Sequence, residues 1–526
     1  MAVTAHKFAS LPKMSQPFAR RKNRSALQVL QSAPPTEKSP ASHSQDANTG
    51  AALQPQQTAI STYFKRQEQR SEQQPSLPDG ARWDDIGASD LKAALCSTVL
   101  VDAAWLAALA DDGGILPRCQ DVPEAAKVRL EEMEAWWDKD SETVGVLVVS
   151  HPWLDIYHPD PHGEQLQKNA FVFRAFAGSA EQRRGCRVGV FIDYCALPQR
   201  RSDGYDDRTE AEHARFGSAL LGINAWYGHR RTHVLLVNTA LPRFAPSGAP
   251  YANTQPYEGR GWCYAESTMS SMAKEACARI ELSRLKGDVS KYWPAEKLYL
   301  VGASERPPPI APSAFRQRLG AGIWDGSIKF TNRGDVDIVS SIYERAFLSE
   351  MSKAAGLSYS NLQWTDPHVA TLATALAYAH EHGALASLTA LHLHSNEIGD
   401  DGCVALANAA LPRTHCLLAC LPSSPQAEGR NRPFAQLASL HLHSNRISDR
   451  GLYALVEVAE RGNAFPSLKE LTLSDNTIND EGFAALALAV TSGAFPALEH
   501  ITLIDNPGSA SLVRIALRTR EATRAR

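Results

Sequence analysis

A spacing of leucines and asparagines that recurs in the last third of the chain constrains its fold more than any other feature. In the first complete copy, Leu388, Leu391 and Leu393 precede Asn396 in the pattern Leu-x-x-Leu-x-Leu-x-x-Asn. Three more copies follow, one of them with Ile in place of a Leu. The asparagines of the four copies are Asn396, Asn445, Asn476 and Asn506. Such a repeat predicts a stack of similar supersecondary units rather than one irregular core.

Each unit fits one strand followed by one helix. The leucines of stacked units form a continuous core, and each Asn satisfies backbone groups at a turn. The pattern resembles leucine-rich repeats of the ribonuclease-inhibitor type, which we assign to residues 358–526. Asn396 and Asn445 lie 49 residues apart, so an inserted loop is predicted at 412–433. The resemblance implies a surface that binds a protein ligand.

The middle of the chain, residues 141–350, alternates strand and helix. Three short β-branched runs, 144–149, 187–192 and 232–237, suit strands that are buried on both faces. Amphipathic segments suit the helices, including one predicted over 262–280. This alternation predicts an α/β fold with a parallel sheet covered on both faces. Binding sites in such sheets lie at the carboxyl ends of the strands.

Polar side chains stand at those strand ends. Ser150 follows the first run, and Asp193 and Tyr194 follow the second. The segment Arg-Gly-Trp-Cys-Tyr-Ala-Glu, residues 260–266, follows the third. This order is similar to that of a TIR domain, which implies a flavodoxin-like parallel sheet. In the family members that cleave NAD⁺, the catalytic acid occupies the position of Glu266.

The resemblance implies a site but leaves its use open. In an active enzyme, Glu266 would hold the ribose hydroxyls of NAD⁺ and stabilise positive charge as the nicotinamide bond breaks. Ser150, Asp193, Tyr194 and Trp262 would line the ligand site, with the two aromatic rings as its walls. Many TIR domains instead work as adaptors without activity, and an acid early in a helix is favoured by the helix dipole alone. Beyond NAD⁺ as a substrate, no cofactor is predicted.

Residues 80–140 carry apolar positions at helical spacing, and a helical segment that packs on the middle domain is predicted there. The loop after the first strand contains three histidines and two aspartates: His151, Asp155, His158, Asp160 and His162. Their spacing fits no helical or strand face, so a polar surface loop is predicted and no metal site.

Residues 1–79 are predicted to be a disordered tail, because they are rich in Gln, Ser, Pro and Ala and poor in aromatics. The peptide 57–64 contains Gln57, Ile60, Tyr63 and Phe64. One helical turn puts the three apolar side chains on one face, with the glutamine at the rim. This peptide resembles the PIP box, by which nuclear proteins dock on the replication sliding clamp. The resemblance implies an alternative function, that of a non-catalytic nuclear scaffold on the clamp.

The composition is that of an ordinary globular protein, with 44% hydrophobic and 21% charged residues. A net charge of −3 gives no bias toward nucleic acid or membrane, and neither is expected as a direct partner. Nine cysteines without a paired framework favour a reducing compartment. We therefore expect an intracellular protein, cytoplasmic or nuclear, of the signalling or defence type. In this hypothesis the repeats recognise a protein, and the TIR-like domain acts as an effector or self-associates.

Overall fold

The computed structural model describes residues 89–135, 145–182, 187–274, 276–286, 293–332, 334–411, 432–462 and 464–524. The predicted tail, with its peptide 57–64, and most of the predicted inserted loop lie outside these residues. Within the described ranges, no helix has the length and apolar character needed to cross a bilayer.

The first half of the described chain contains a six-stranded sheet. Its strands are β1 (Leu100–Asp102), β2 (Lys127–Val128), β3 (Val146–Ser150), β4 (Gly189–Ile192), β5 (His233–Leu236) and β6 (Arg279–Glu281). They lie in the order β2-β1-β4-β3-β5-β6. Strands β4, β3, β5 and β6 are parallel, which confirms the predicted α/β fold with a parallel sheet. Their order is flavodoxin-like, with the topological switch point between β3 and β5.

Helices cover both faces of this sheet. They are α1 (Ser89–Ser97), α2 (Ala103–Asp111), α3 (Leu130–Ala135), α4 (Glu164–Gln182), α5 (Asp193–Ala196), α6 (Glu210–Gly228), α7 (Gly261–Ser270), α8 (Ala295–Gly302), α9 (Pro312–Asp325) and α10 (Asp335–Lys353). Side chains alternate across a strand. Accordingly, Val146 and Val148 of β3 belong to one apolar core, whereas Leu147 and Val149 belong to the other.

The sequence predicted a helical segment at 80–140, but the structure shows that this segment is not purely helical. Besides its helices it contributes β1 and β2, and β1 runs antiparallel to both β2 and β4. The short apolar run at Leu100 and Val101 fits a helical and an extended pattern equally well. Pairing with β4 decides between them, because a buried backbone needs hydrogen-bond partners.

The helix predicted over 262–280 is also too long, because α7 ends at Ser270 and the chain then forms β6. The hydroxyls of Ser270 and Ser271 donate to the carbonyls of Ser267 and Thr268. Serine hydroxyls that bond to nearby backbone groups weaken a helix at such a point.

The second half forms a five-stranded parallel sheet in the order β11-β10-β9-β8-β7. Its strands are β7 (Gly356–Ser358), β8 (Ala390–His392), β9 (Ser439–His441), β10 (Glu470–Thr472) and β11 (His500–Thr502). One helix follows each strand: α11 (Asp366–Glu381), α12 (Asp400–Ala410), α13 (Asp449–Gly462), α14 (Asp480–Ser492) and α15 (Ser511–Arg524). The structure therefore has the predicted unit of one strand and one helix.

The asparagine of each repeat forms a rung of a ladder between neighbouring units. Asn476 donates to the carbonyl of Leu473 in its own unit and to that of Leu442 in the preceding one, at 3.1 and 3.0 Å. Its side-chain oxygen accepts from the backbone N–H of Ile447 at 3.0 Å. Asn445 and Asn506 make the equivalent bonds. These amides satisfy backbone groups that the turns leave without partners.

The two halves share one apolar core and lie in a single compact unit. At their junction the buried guanidinium of Arg306 donates to the carbonyls of Ser271 and Met272, just after α7, at 3.0 Å each. It also donates to the carbonyl of Ser358 at the end of β7, at 2.6 Å. The ring of Tyr359 lies 4.3 Å from the guanidinium, and its hydroxyl donates to the Met272 carbonyl. Arg306 therefore connects the end of α7 directly to the repeat sheet.

We predict that Arg306→Ala destabilises the whole unit by on the order of 3 kcal/mol or more, because two buried carbonyls and one partly buried carbonyl lose a charged donor. Chemical denaturation followed by circular dichroism measures this change. The matched control is Arg316→Ala on α9, where the side chain is exposed and the expected effect is within about 0.5 kcal/mol. Equal stability of the two variants would contradict the role given to Arg306.

Candidate functional site

The carboxyl end of the first sheet gathers side chains from three connections. Ser150 ends β3, Asp193 follows β4, and Glu266 lies on α7 after the long loop that leaves β5. The buried Arg260 fixes this loop, because its guanidinium donates to the carbonyls of Asn253 and Gln255 and to that of Trp153 across the cleft. The predicted site residues Ser150 and Glu266 thus meet beside the switch point.

A short hydrogen-bonded chain links these residues. The Ser150 hydroxyl donates to Glu266 Oε2 at 2.5 Å. The hydroxyl of Tyr257 lies 2.6 Å from Ser150 Oγ, in the position to donate to it. Nothing in the sequence marks Tyr257, because it lies in a loop rich in Pro, Gly and Asn.

The Glu266 carboxyl is 5% exposed. Burial raises its pKa well above the ordinary value, and the nearby negative charge of Asp193 raises it further. Hydrogen bonds from Ser150 and Tyr227 oppose this rise. The carboxyl therefore keeps its proton at a pH where an exposed glutamate has lost it.

The helix dipole does not explain this position. Arg260 is the N-cap residue of α7, so Glu266 is the sixth residue of the helix and lies in its second turn. The stabilisation of an acid by the dipole falls off within the first turn. Another interaction must therefore stabilise this buried acid, and the hydrogen bonds from Ser150 and Tyr227 do so.

Asp193 sits across from Glu266 and is itself held in place. Its Oδ2 accepts from the indole N–H of Trp153 at 2.9 Å, and its Oδ1 accepts from the backbone N–H of Tyr194 at 2.7 Å. The imidazole Nε2 of His151 lies 4.0 Å from Oδ1. Burial raises the pKa of Asp193, and His151 opposes the rise. Two carboxyl groups with raised pKa values on one sheet edge are characteristic of functional sites.

The two predicted aromatic walls have different neighbours. The Tyr194 ring is buried against Trp153 and His158, with ring centroids 5.6 and 4.5 Å apart. The Trp262 indole N–H donates instead to Asp335 at the start of α10, at 2.9 Å. Trp153 is the tryptophan in contact with Asp193. A slot formed by Tyr194 and Trp262 therefore stays a prediction, as does the PIP-box-like set Gln57, Ile60, Tyr63 and Phe64 in the undescribed tail.

The His- and Asp-rich loop after β3 is not the polar surface loop predicted from the sequence. His151, His158 and Asp160 are 8%, 5% and 0% exposed. His158 accepts from the backbone N–H of Asp160 and contacts the carbonyl of Leu116, while Asp160 accepts from the N–H of Leu166 in α4. These bonds draw the loop inward. In the described ranges, no three His, Cys, Asp or Glu side chains are grouped to hold a metal ion.

The second polar surface lies on the repeat sheet, and we call its four imidazoles the histidine face. His392 is the last residue of β8 and His394 lies two residues beyond it; His441 and His443 occupy the same places in and after β9. His392 Nδ1 lies 3.2 Å from His441 Nδ1, and the rings of His394 and His443 stack with centroids 4.3 Å apart. All four are partly exposed. The sequence signal is the doubled Leu-His-Leu-His at 391–394 and 440–443, whose importance sequence reasoning missed.

The family model described as "Leucine Rich repeat" matches residues 384–407, 437–456 and 466–487. The chain carries leucine-rich repeats. In such repeats the residues between the strand leucines form a common binding surface for proteins, and here they include the histidine face.

Other comparisons add little to this result. No curated protein matches the chain. Among solved structures, the chain is similar to "Leiomodin-1 Actin-Binding Site 2 (ABS2)" with 14% identity and a TM-score of 0.22. That match covers 35% of this chain and 94% of the other.

Burial lowers the pKa values of His392, His394 and His443, and the neighbouring imidazoles lower them further. At neutral pH these three rings of the leucine-rich repeats are therefore uncharged. As the pH falls, protonation brings like charges together on one face.

We predict that Glu266→Gln stabilises the protein increasingly as the pH rises from about 4.5 to 8. The folded-state pKa of Glu266 is raised, so the stability that its neutral form contributes is present below the unfolded pKa and is lost as the pH rises through the folded value. Glutamine can accept the same Ser150 bond without titrating. Thermal unfolding of the variant and wild type across this range measures the difference.

The control for this comparison is Glu258→Gln, an exposed carboxylate in the same loop. Its difference from wild type should not grow with pH. A Glu266→Gln profile parallel to that of wild type would show that the Glu266 pKa is not raised.

A second pH prediction concerns the histidine face. The lowered folded pKa values of His394 and His443 contribute stability that is present above the ordinary value of about 6.5 and is lost as the pH falls through the folded values. The double variant His394→Gln/His443→Gln should therefore lose less melting temperature than wild type between pH 7 and 5. His500→Gln, on exposed β11, should lose as much as wild type. Equal slopes for all three proteins would refute the effect.

Proposed function

We propose that this chain is an intracellular protein of the signalling or defence type. In this proposal the leucine-rich repeats bind a protein, and the first sheet is a TIR-like effector domain that cleaves NAD⁺ through Glu266. The observation that carries the proposal is the 2.5 Å bond between Ser150 and Glu266 at the switch point of a flavodoxin-like sheet. Ligands of doubly wound sheets bind in the crevice at that point.

The chemistry needs an anionic carboxylate next to the ribose. Cleavage of the bond to nicotinamide develops positive charge on the ribose ring, and a fixed carboxylate stabilises that charge. In the arrangement described above, burial keeps the proton on Glu266. Exposure to substrate and solvent removes the desolvation that holds the proton, so opening the site also ionises the acid.

Access to Glu266 depends on the loop between β5 and α7. Arg260 holds this loop through the Asn253 and Gln255 carbonyls and ties it to Trp153. Substrate entry therefore requires the loop to withdraw from the carboxyl. We infer that self-association of the domain, which the TIR resemblance implies, favours that withdrawal, so activity should rise with protein concentration.

The junction offers a route from the repeats to the site. Arg306 contacts the carbonyls just after α7, and α7 carries Glu266. A protein bound to the leucine-rich repeats can thus act on α7 through β7 and Arg306. In this proposal the ligand of the repeats regulates the effector domain.

The test is NAD⁺ turnover by the full-length chain over a range of concentrations and with a crowding agent, measured as nicotinamide release. We expect release that rises with concentration and falls at least 100-fold in Glu266→Ala. Glu258→Ala, which changes an exposed acid of the same loop, should keep wild-type turnover.

Absence of nicotinamide release from folded, self-associated wild-type protein would overturn the catalytic part of the proposal. The first sheet would then be an assembly module, and protein binding by the repeats would be the remaining function. Equal activity of wild type and Glu266→Ala would exclude Glu266 as the catalytic acid.

A further inference from the structure

A small cavity lies beneath the carboxyl end of the first sheet, next to Asp193 but separate from Glu266. It measures about 20 Å³, which is close to the space that one water-sized sphere requires. Its apolar wall includes Val149 of β3, Ile192 of β4 and Phe173 of α4. Its polar wall consists of four side chains, each more than nine-tenths buried: His151, Asp160, Gln165 and Asn169.

Each of these four side chains has one buried polar atom without a hydrogen-bond partner. Within the described part of the chain, no hydrogen-bond partner contacts His151 Nε2, Asp160 Oδ1, Gln165 Oε1 or Asn169 Oδ1. A buried polar atom left without a hydrogen-bond partner destabilises the folded state. Four such atoms around one small cavity indicate a binding site rather than a packing fault.

The hydrogen bonds made by the other polar atoms of Asp160 and Gln165 determine which atom of each side chain remains without a partner. Asp160 Oδ2 already accepts from the backbone N–H of Leu166 at 2.7 Å, which leaves Oδ1. The amide nitrogen of Gln165 donates to the carbonyls of Pro152 and Pro159, at 2.9 and 3.2 Å, which leaves Oε1. The wall therefore presents three oxygen acceptors, whereas a water molecule can donate only two hydrogen bonds.

An ionised Asp160 in this wall also calls for a cation. In the described ranges, no lysine or arginine forms an ion pair with the fully buried Asp160. His158 does not supply the charge, because its Nδ1 accepts from the backbone N–H of Asp160 and it is therefore a neutral imidazole. Buried carboxylates in proteins are paired with a cation or coordinate a metal.

We propose that this cavity binds one small monovalent metal cation through the side-chain oxygens of Asp160, Gln165 and Asn169. The imidazole of His151 also lines the cavity and lies 4.0 Å from Asp193. One carboxylate matches a single positive charge. A divalent ion such as calcium or magnesium would keep an uncompensated positive charge beside this single carboxylate. Transition metals favour nitrogen and sulfur donors, whereas three of the four polar side chains in this wall offer oxygen.

The bound ion would fix the loop after β3 against the start of α4. Asp160 and Gln165 hold this loop through Leu166, Pro152 and Pro159. His151 lies in the same loop, 4.0 Å from Asp193. The cation is thus structural, and its role does not depend on whether Glu266 is catalytic.

The test uses the full-length chain, exchanged into choline chloride, whose cation is too large for the cavity. Sodium, lithium or potassium chloride then replaces choline at constant ionic strength, and the melting temperature is recorded. A ligand that binds only the folded state raises stability with concentration. We expect one of the small ions to give a saturable rise of about 1–3 °C, and the comparison among them identifies the ion.

Two variants establish the location. Asp160→Asn removes the charge, and Asn169→Leu removes an oxygen and fills space; both should lose the response to the cation. The second variant serves if the first fails to fold. Asp155→Asn, in the same loop but outside the cavity, should respond as wild type does.

Equal melting temperatures in choline and in the small cations would overturn the proposal and favour a resident water beside a protonated Asp160. A response confined to calcium or magnesium would overturn the monovalent assignment. A full response in both Asp160→Asn and Asn169→Leu would place the ion elsewhere.

Discussion

The structure depends on a buried guanidinium at the meeting point of two architectures. Arg306 is almost fully removed from solvent, and its hydrogen bonds to main-chain carbonyls on both sides compensate for the lost hydration. Because one side chain satisfies the end of α7 and the end of β7 together, neither half can lose the contact without leaving polar groups unpaired. The apolar core that both halves share buries surface at this junction. The hydrogen bonds of Arg306 fix the geometry of the junction.

The edge of the first sheet shows how a fold prepares a site before any ligand is present. Parallel strands bring Ser150 and Asp193 to one end, and the loop after β5 places Glu266 above them. Each of these groups is held by neighbours that the sheet itself does not provide, chiefly Tyr257, Trp153 and Arg260. The result is a pair of acids at one end of the sheet, and burial raises the pKa of both.

The sequence predicted those features that follow from periodicity. The strand leucines and Asn396 have one spacing that suits a repeat stack, and Ser150 and Glu266 lie where parallel strands end. It did not predict β1, because two apolar residues fit either a strand or a helix. Only the pairing of this segment with β4 makes it a strand. It also did not predict the roles of Gln165 and Asn169. Amides in a helix usually face solvent, and only the tertiary structure shows that these two are buried and line one cavity together with Asp160.

The hydrogen bonds of the asparagine ladder do not depend on how many residues separate neighbouring repeats. Asn445 bonds to the Leu393 carbonyl as Asn476 bonds to that of Leu442, although 49 residues separate Asn445 from Asn396. The β8 and β9 strands keep the same register as the other pairs. Between α12 and β9 the stack thus offers a natural insertion point, where evolution or an engineer can add a domain while the binding surface keeps its shape.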